Sequence, residues 1–190
     1  IKKSNNSIVN LLRVLRKLKL ISNFYSVHVL KNIPVFGGLG GGTSNAAFVL
    51  KYVLKGIITN KTFKEVEKLI GTDLRLFFYK QGFLENLKTI KVLKKKKKLF
   101  FLLSRPNINC STRKIYSNVK RYSKKVKFNA NKINTKKKYI NHILAQKNEL
   151  QTIVEKKYPI IKTLLKDISA QKKCYFSRMT GSGSVCYGLF

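Results

Sequence analysis

The residues with the most distinct chemistry form a glycine-rich stretch, GGLGGGTS, at positions 37–44. Five of the six residues at 37–42 are glycine, so few side chains cover the backbone amides there. Uncovered amides at the start of a helix bind phosphate, because the helix N-terminus adds partial positive charge. Thr43 and Ser44 add hydroxyls that can bind phosphate or Mg²⁺. The alternative is a flexible turn without a ligand, but five glycines cost considerable conformational entropy.

The spacing of these glycines excludes two common nucleotide-binding loops. A Walker A loop requires Lys and then Ser or Thr after its last glycine, whereas Gly42 is followed directly by Thr43. The dinucleotide fingerprint requires glycines at i, i+2 and i+5, but Gly38 and Gly40 are followed by Thr43. The stretch is therefore predicted to bind phosphate in a different type of loop.

Helices and strands are mixed throughout the predicted pattern, which indicates an α+β or α/β protein. Apolar residues at helical spacing from Ile8 to Leu18 predict a first helix, with Ser7 as its N-cap. Alternation at 25–33 predicts a strand that Pro34 ends just before the glycines. Further helices are predicted at 46–55, 62–70, 111–119, 141–157 and 159–171, and further strands at 74–79, within 83–93, and at 99–104, 174–179 and 185–190.

The charge of the chain has two interpretations. The 190 residues include 41 Lys and Arg against 7 Asp and Glu, which gives a net charge of +34. Of the basic residues 34 are Lys, and Asn, Ile, Phe and Tyr are also abundant, as codons rich in A and T would produce. A dedicated nucleic-acid binder usually adds Arg to contact bases and phosphates. We therefore predict no specific nucleic-acid partner, and keep a basic RNA-binding protein as the alternative.

Composition also excludes other classes of protein. No apolar run approaches the roughly 18 residues of a membrane-spanning helix, so we predict no membrane partner. Three scattered cysteines are too few for a disulfide framework or a four-cysteine zinc site, and the two histidines, His28 and His142, lie far apart in the sequence. With no signal peptide visible, we expect a bacterial cytoplasmic protein of one or two domains. The oligomeric state stays open.

Several segments occur in an order and spacing that is typical of one enzyme family. They are KNIPVFGGLGGGTSNAA at 31–47, GTDLRLFF at 71–78 and MTGSGSVCYGLF at 179–190, together with NINCSTRKIY at 107–116 and the Asn-acidic-Leu element at 148–150. These segments resemble motifs of the GHMP kinases, which include galactokinase, homoserine kinase, mevalonate kinase and phosphomevalonate kinase. Within that family the chain is most similar to the members that phosphorylate a cytidine-diphosphate derivative of methylerythritol.

The resemblance implies a small-molecule kinase that uses ATP and Mg²⁺. Such a kinase transfers the γ-phosphoryl of ATP to a hydroxyl, here the 2-hydroxyl of the cytidine-diphosphate sugar alcohol in non-mevalonate isoprenoid biosynthesis. Asp73 matches the aspartate that orients or deprotonates this hydroxyl, and Thr112 matches a position near the substrate. Thr43 and Ser44 would help to place Mg²⁺. The implied ATP-binding residues are Pro34, Val35, Gly37, Gly38, Leu39, Gly40, Gly41, Gly42, Thr43 and Ser44, and the third glycine motif contains Gly181, Ser182, Gly183 and Ser184.

The resemblance also implies a two-domain α+β architecture. An ATP-binding domain at 1–93, similar to domain 2 of ribosomal protein S5 but incomplete, is expected to precede a ferredoxin-like domain at 97–190. The chain has no counterpart of the family's first segment, which carries a catalytic lysine, or of its final strand and helix. Phe36 and Arg75 stand where the family has Gly and Pro. We therefore expect these 190 residues to lack kinase activity alone, either as a fragment of a longer kinase or as a decayed, non-catalytic remnant.

Overall fold

The computed structural model describes residues 6–32, 35, 37–79, 81–85, 89–93, 95–120 and 133–190. The chain divides into two compact units. The first unit comprises Ile1–Lys31 and Gly40–Lys94, and the second comprises Asn32–Leu39 and Lys95–Phe190. The glycine-rich stretch is therefore divided between the units after Leu39. The domain limits expected from the sequence, 1–93 and 97–190, remain a prediction, and they did not anticipate this division.

The first unit is built mainly from helices. Its elements follow one another as α1 Ser7–Lys17, α2 Gly41–Val53, α3 Asn60–Ile70, a 3-10 helix at Thr72–Phe78, and an antiparallel hairpin of β1 Gly82–Leu84 and β2 Ile90–Val92. The helices and the 3-10 helix share a core of buried side chains, namely Leu11, Leu15, Ile21, Ala46, Ala47, Leu50, Val66 and Leu74. Burial of this apolar surface is the main stabilising contribution that the described residues of the unit provide.

The start of α1 lies close to the predicted position, but its cap differs. Asn6 is the N-cap, and its side-chain oxygen accepts a hydrogen bond from the backbone N–H of Ile8 at 2.9 Å. Ser7, which was predicted as the cap, is instead the first helical residue. Its hydroxyl donates to the carbonyl of Gly42 at 2.8 Å and so links α1 to the first turn of α2.

Three predictions for the first unit were wrong. Residues 25–32 of the predicted strand belong to no strand, because none of the described strands pairs with them. The apolar run at 74–79 forms the 3-10 helix rather than a strand, since Leu74 and Phe77 lie one 3-10 turn apart and both contact the helical core. The helix predicted from Ala46 begins at Gly41, where the left-handed Gly40 turns the chain into the helix.

The second unit combines a three-stranded antiparallel sheet with helices. The strands are ordered β3-β5-β4, with β3 at Phe101–Ser104, β4 at Phe176–Met179 and β5 at Cys186–Leu189. This arrangement confirms the strand, glycine turn and strand predicted for the end of the chain. The helices in the described part of this unit are α4 Thr112–Tyr116, α5 Lys136–Leu144, α6 Gln151–Lys157 and α7 Ile160–Ser169.

The core of the second unit lies between α7 and the sheet. Helix α7 contacts both β4 and β5, and its buried face of Ile161, Leu165 and Ile168 shares a core with Met179 and Cys186. Burial of the Cys186 thiol raises its pKa to about 12, with the nearby Glu155 carboxylate adding to the effect. The protonated, apolar form of this thiol is the one that the core accommodates.

The single helix predicted at 141–157 was wrong, because the chain forms two helices there. Helix α5 ends at Leu144 and α6 begins at Gln151. Between them, the side-chain oxygen of Asn148 accepts a hydrogen bond from the backbone N–H of Leu150 at 3.0 Å. This local bond competes with continuation of the helix, as asparagine side chains commonly do.

The mixture of helices and antiparallel strands confirms the predicted α+β class. Within the described ranges, no helix is both long enough and apolar enough to cross a membrane.

Candidate functional site

In the first unit, the candidate site is the N-terminus of α2. Gly40 is the N-cap, with φ 65° and ψ 21°, and no side chain caps the helix. Its carbonyl accepts the first intrahelical bond, from Ser44 N–H at 2.8 Å. The amides of Gly41, Gly42 and Thr43 precede that bond, so they have no partner within the helix. The first turn also contains no acidic residue, which leaves its partial positive charge uncompensated.

The space in front of these amides is open. A Cβ added to Gly41 would meet no other atom within 4 Å. Thr43 and Ser44 follow in the first turn, both partly exposed, and neither hydroxyl has a hydrogen-bond partner among the described residues. Open amides and available hydroxyl oxygens together form a site that suits a phosphate group and a hard cation.

Lys31 adds a positive charge close to the first turn of α2. With its amide oriented to satisfy its neighbours, Asn45 donates to the carbonyl of Gly41 at 3.2 Å and accepts from Lys31 Nζ at 3.0 Å. The Asn45 side chain therefore connects a flexible lysine to the turn that carries the open amides.

The 3-10 helix that carries Asp73 packs on α2 and α3. The ring of Phe77 lies 3.0 Å from the point where a Cβ on Gly40 would stand, so a larger residue at position 40 would displace it. Lys51, on α2, donates to the carbonyl of Phe77 at 2.7 Å. These contacts fix the 3-10 helix to α2 within one unit.

Asp73 lies in the first turn of the 3-10 helix and is exposed. Its carboxylate forms no hydrogen bond or ion pair within the part of the chain that the structure describes. Arg75, which stands where the resemblance predicts proline, points elsewhere: its Nη2 donates to Glu67 Oε2 at 2.7 Å. The salt bridge between Arg75 and Glu67 joins the 3-10 helix to α3 and leaves the Asp73 carboxylate available.

In the second unit, the first glycines of the stretch pack against the third glycine motif. Gly37 accepts two hydrogen bonds at its carbonyl, from the Thr180 hydroxyl at 3.2 Å and from Val185 N–H at 3.1 Å. Gly38 has φ +74°, and a Cβ there would stand 2.5 Å from the carbonyl oxygen of Thr180. Only glycine fits position 38, because the two backbones are in direct contact.

The third glycine motif is itself held by buried hydroxyls. Ser184 is fully buried and donates to the carbonyl of Ile108 at 2.8 Å. Ser182 is also buried, and its hydroxyl lies 2.8 Å from the hydroxyl of Thr112. Both serines therefore have partners inside the second unit. Thr112, which the resemblance places near the substrate, is joined to this motif.

A cavity of about 540 Å³ lies beside the third glycine motif in the second unit. Tyr116, Asn148, Arg178 and Tyr187 contribute to its wall. Burial raises the pKa of the Tyr187 phenol, although the nearby Arg178 guanidinium opposes this shift. Tyr187 therefore contributes a neutral hydroxyl to this wall at neutral pH.

The predicted site residues of the glycine-rich stretch fall into two groups, one in each unit. Gly37 and Gly38 lie against the third motif, whereas Gly40 to Ser44 form the start of α2. Val35 lies in a turn and is exposed, Leu39 is partly buried beside the glycines, and Pro34 lies outside the described residues. In the described part of the chain, no three His, Cys, Asp or Glu side chains cluster as metal ligands.

Sequence reasoning missed several residues that support these contacts. Lys51 and Phe77 were not singled out, and Ser7 was predicted only as an N-cap. No local pattern marks their contacts, because their partners lie far away in the sequence. Asn148 was noted only as part of a short motif. The interruption of an otherwise helical pattern at this polar residue was the available signal.

Two domain families match the chain. The GHMP kinases N terminal domain matches residues 6–74, and the GHMP kinases C terminal family matches residues 127–190. Among solved structures, the crystal structure of 4-(cytidine 5'-diphospho)-2C-methyl-D-erythritol kinase matches with a TM-score of 0.67 and 18% identity, covering 99% of this chain and 70% of that one. This structural likeness confirms the predicted GHMP kinase fold.

Two curated relatives that match the chain share one name with each other. The 4-diphosphocytidyl-2-C-methyl-D-erythritol kinase of Pelagibacter ubique (strain HTCC1062) is 34% identical over 191 residues, covering 97% of this chain and 66% of that protein. The kinase of that name from Thermodesulfovibrio yellowstonii (strain ATCC 51303 / DSM 11347 / YP87) is 32% identical over 204 residues, covering 100% of this chain and 70% of that protein. The chain therefore spans about two thirds of the length of these relatives.

Proposed function

We propose that this chain, which belongs to the GHMP kinase family, is the ATP-binding part of a kinase that phosphorylates the 2-hydroxyl of 4-diphosphocytidyl-2-C-methyl-D-erythritol. The kinase would act in non-mevalonate isoprenoid biosynthesis. The substrate is inferred from the names of the relatives. The observation that most directly supports ATP binding is the open N-terminus of α2, where Gly41 leaves the space before the amides empty.

The amides of Gly41, Gly42 and Thr43 would hold the phosphates of ATP. They donate from a rigid helix end, so no reorganisation is needed when negative charge moves during transfer. Lys31 would add positive charge beside the same turn. Phosphoryl transfer depends mainly on such positioning and charge stabilisation.

The hydroxyls of Thr43 and Ser44 suit Mg²⁺, because they are hard oxygen ligands without a partner among the described residues. When bound, Mg²⁺ would neutralise phosphate charge. Asp73 would orient the substrate hydroxyl and accept its proton. An exposed carboxylate without a partner in the described chain can take that role, since no local bond has to break first.

ATP binding can be tested with Gly41→Leu. A Cβ at position 41 meets no other atom within 4 Å and leucine favours the helix over glycine, so the protein should keep or gain thermal stability. The leucine side chain would also shield the backbone amides at the start of α2. Losing two hydrogen bonds from these amides to the charged phosphates should weaken MgATP binding about 100-fold, as measured by calorimetry. Phe48→Leu, an exposed substitution on the same helix, is the control and should bind ATP normally. Unchanged binding by Gly41→Leu would contradict the site.

Catalysis should be tested on the chain expressed together with any coding sequence that adjoins its gene segment. ATP-dependent phosphorylation of the cytidyl substrate should be measured for that protein and for its Asp73→Asn variant. Loss of turnover with unchanged ATP affinity would support the role of Asp73. If the parent protein neither binds ATP nor turns over, the alternative of a decayed, non-catalytic remnant replaces this proposal. The absence of a specific nucleic-acid or membrane partner and the cytoplasmic location remain predictions.

A further inference from the structure

The interruption between α5 and α6 brings one polar side chain onto the third glycine motif. Asn148 donates from Nδ2 to two carbonyls, those of Met179 and Gly181, each at 2.8 Å. Its Oδ1 accepts from Leu150 N–H at 3.0 Å. Both donors and the acceptor of this amide are therefore used, and all its partners belong to the second unit.

These bonds hold the two ends of one turn. Met179 is the last residue of β4, and Gly181 lies two residues further on, inside the glycine turn. Gln151, at the start of α6, accepts from Met179 N–H at 3.0 Å and adds to the same attachment. Helix α6 and the residues before it therefore hold the backbone on both sides of Thr180.

Thr180 is the residue that reaches the glycine-rich stretch. Its hydroxyl donates to the carbonyl of Gly37 at 3.2 Å, and its own carbonyl is the atom that excludes a side chain at Gly38. A displacement of Thr180 would remove one of the two bonds to Gly37 and open a gap beside Gly38. The position of Gly37 and Gly38 therefore depends on the residues that hold Thr180.

We propose that Asn148 is a positioning residue for the first half of the phosphate-binding loop, acting through Thr180 on Gly37 and Gly38. This inference rests on the proposed ATP site. Asparagine suits the position because it offers two donors to two carbonyls from one planar group. An aspartate of the same shape would instead set a carboxylate oxygen against those carbonyl oxygens.

The test compares Asn148→Ala and Asn148→Asp with the parent protein. MgATP affinity should fall about ten-fold in Asn148→Ala, which loses two hydrogen bonds to carbonyls, and further in Asn148→Asp. Adenosine affinity should not change, because adenosine has no phosphates to be positioned. A residue that only stabilises the fold would alter both affinities equally or neither. Asn118→Ala is the matched control. Asn118 lies in the turn after α4, and its side chain donates only a local hydrogen bond, to the carbonyl of Lys114.

A double-mutant cycle tests the route through Thr180. Thr180→Val keeps the side-chain shape but removes the donor to Gly37. If both residues act on the same loop, the double variant should bind MgATP no more weakly than the worse single variant. Independent, multiplicative losses would overturn the route. Thr180→Val also reports on the loop if Asn148→Ala does not fold.

The outcomes separate this inference from the proposed function. A parent protein that binds no MgATP overturns both. A parent that binds MgATP, with Asn148 variants that bind it equally well, overturns only the role of Asn148. A selective loss of MgATP affinity in the Asn148 variants, with normal binding by Asn118→Ala, supports it.

Discussion

The two halves of the glycine-rich stretch use glycine for opposite reasons. Gly38, in the second unit, is needed because a Cβ would stand 2.5 Å from the carbonyl of Thr180. Gly41, in the first unit, faces open space instead, since a Cβ there would meet no other atom within 4 Å. One half is held by backbone packing, and the other is an open helix end. If the proposed ATP site is correct, identical residues in one motif serve structure and ligand binding separately.

The largest expected difference is between alanine at these two glycines. Gly38→Ala should lower the free energy of unfolding by about 3 kcal/mol, because φ is +74° and the new Cβ meets backbone. Gly41→Ala should raise it by about 0.5 kcal/mol, because alanine favours the helix. Urea denaturation of both variants measures the contrast. Equal effects would mean that the two halves are not different in packing.

Removing a buried hydroxyl should likewise lower stability more than removing an open one. Ser184→Ala removes the donor to Ile108 from a fully buried site and should cost about 2 kcal/mol of unfolding free energy. Ser44→Ala, at the open end of α2, should change stability by less than about 0.5 kcal/mol. The comparison requires only thermal melts of the two variants. A destabilised Ser44→Ala would reveal a structural role for that hydroxyl.

The core of the second unit, which contains Cys186, should also make stability depend on alkaline pH. Burial raises the pKa of Cys186 from 9.0 to about 12. Between these two pKa values the thiol loses its proton in the unfolded protein but keeps it in the folded protein. The free energy of unfolding therefore falls by up to about 1.4 kcal/mol per pH unit as pH rises. Cys186→Ala should have a shallower decline over this range in denaturant titrations at several pH values. Parallel curves for the two proteins would contradict the shift.

The smallest contrast concerns the hydrogen bond from α1 to the first turn of α2. Ser7→Ala removes the bond to the Gly42 carbonyl, which is exposed, so the loss should be about 0.5 kcal/mol. Differential scanning calorimetry can resolve it. Asn6→Ala removes the N-cap of the same helix and should cost about 1 kcal/mol, which provides the internal reference.

Much of the site could be predicted from residue types, whereas several of its elements could not. The glycine stretch and the strand, turn and strand around Gly181 were found, because glycine runs between periodic segments are strong local signals. The run at 74–79 was predicted as a strand because its apolar residues fit either period. Its helical conformation follows from contacts of Leu74 and Phe77 with the core of the first unit. The start of α2 was placed too late, because glycine has low helix propensity.

The sequence alone determined the α+β class, the motifs and their order, because these depend on residue types and local spacing. Tertiary structure decided which glycine is packed and which is open, since Gly38 meets Thr180 only when the chain folds back across a sequence separation of 142 positions, from 38 to 180. It also decided that Asn148 holds the turn around Thr180 rather than lying within a continuous helix. Contacts between residues that are distant in the chain carry no local pattern, so only the folded molecule reveals them.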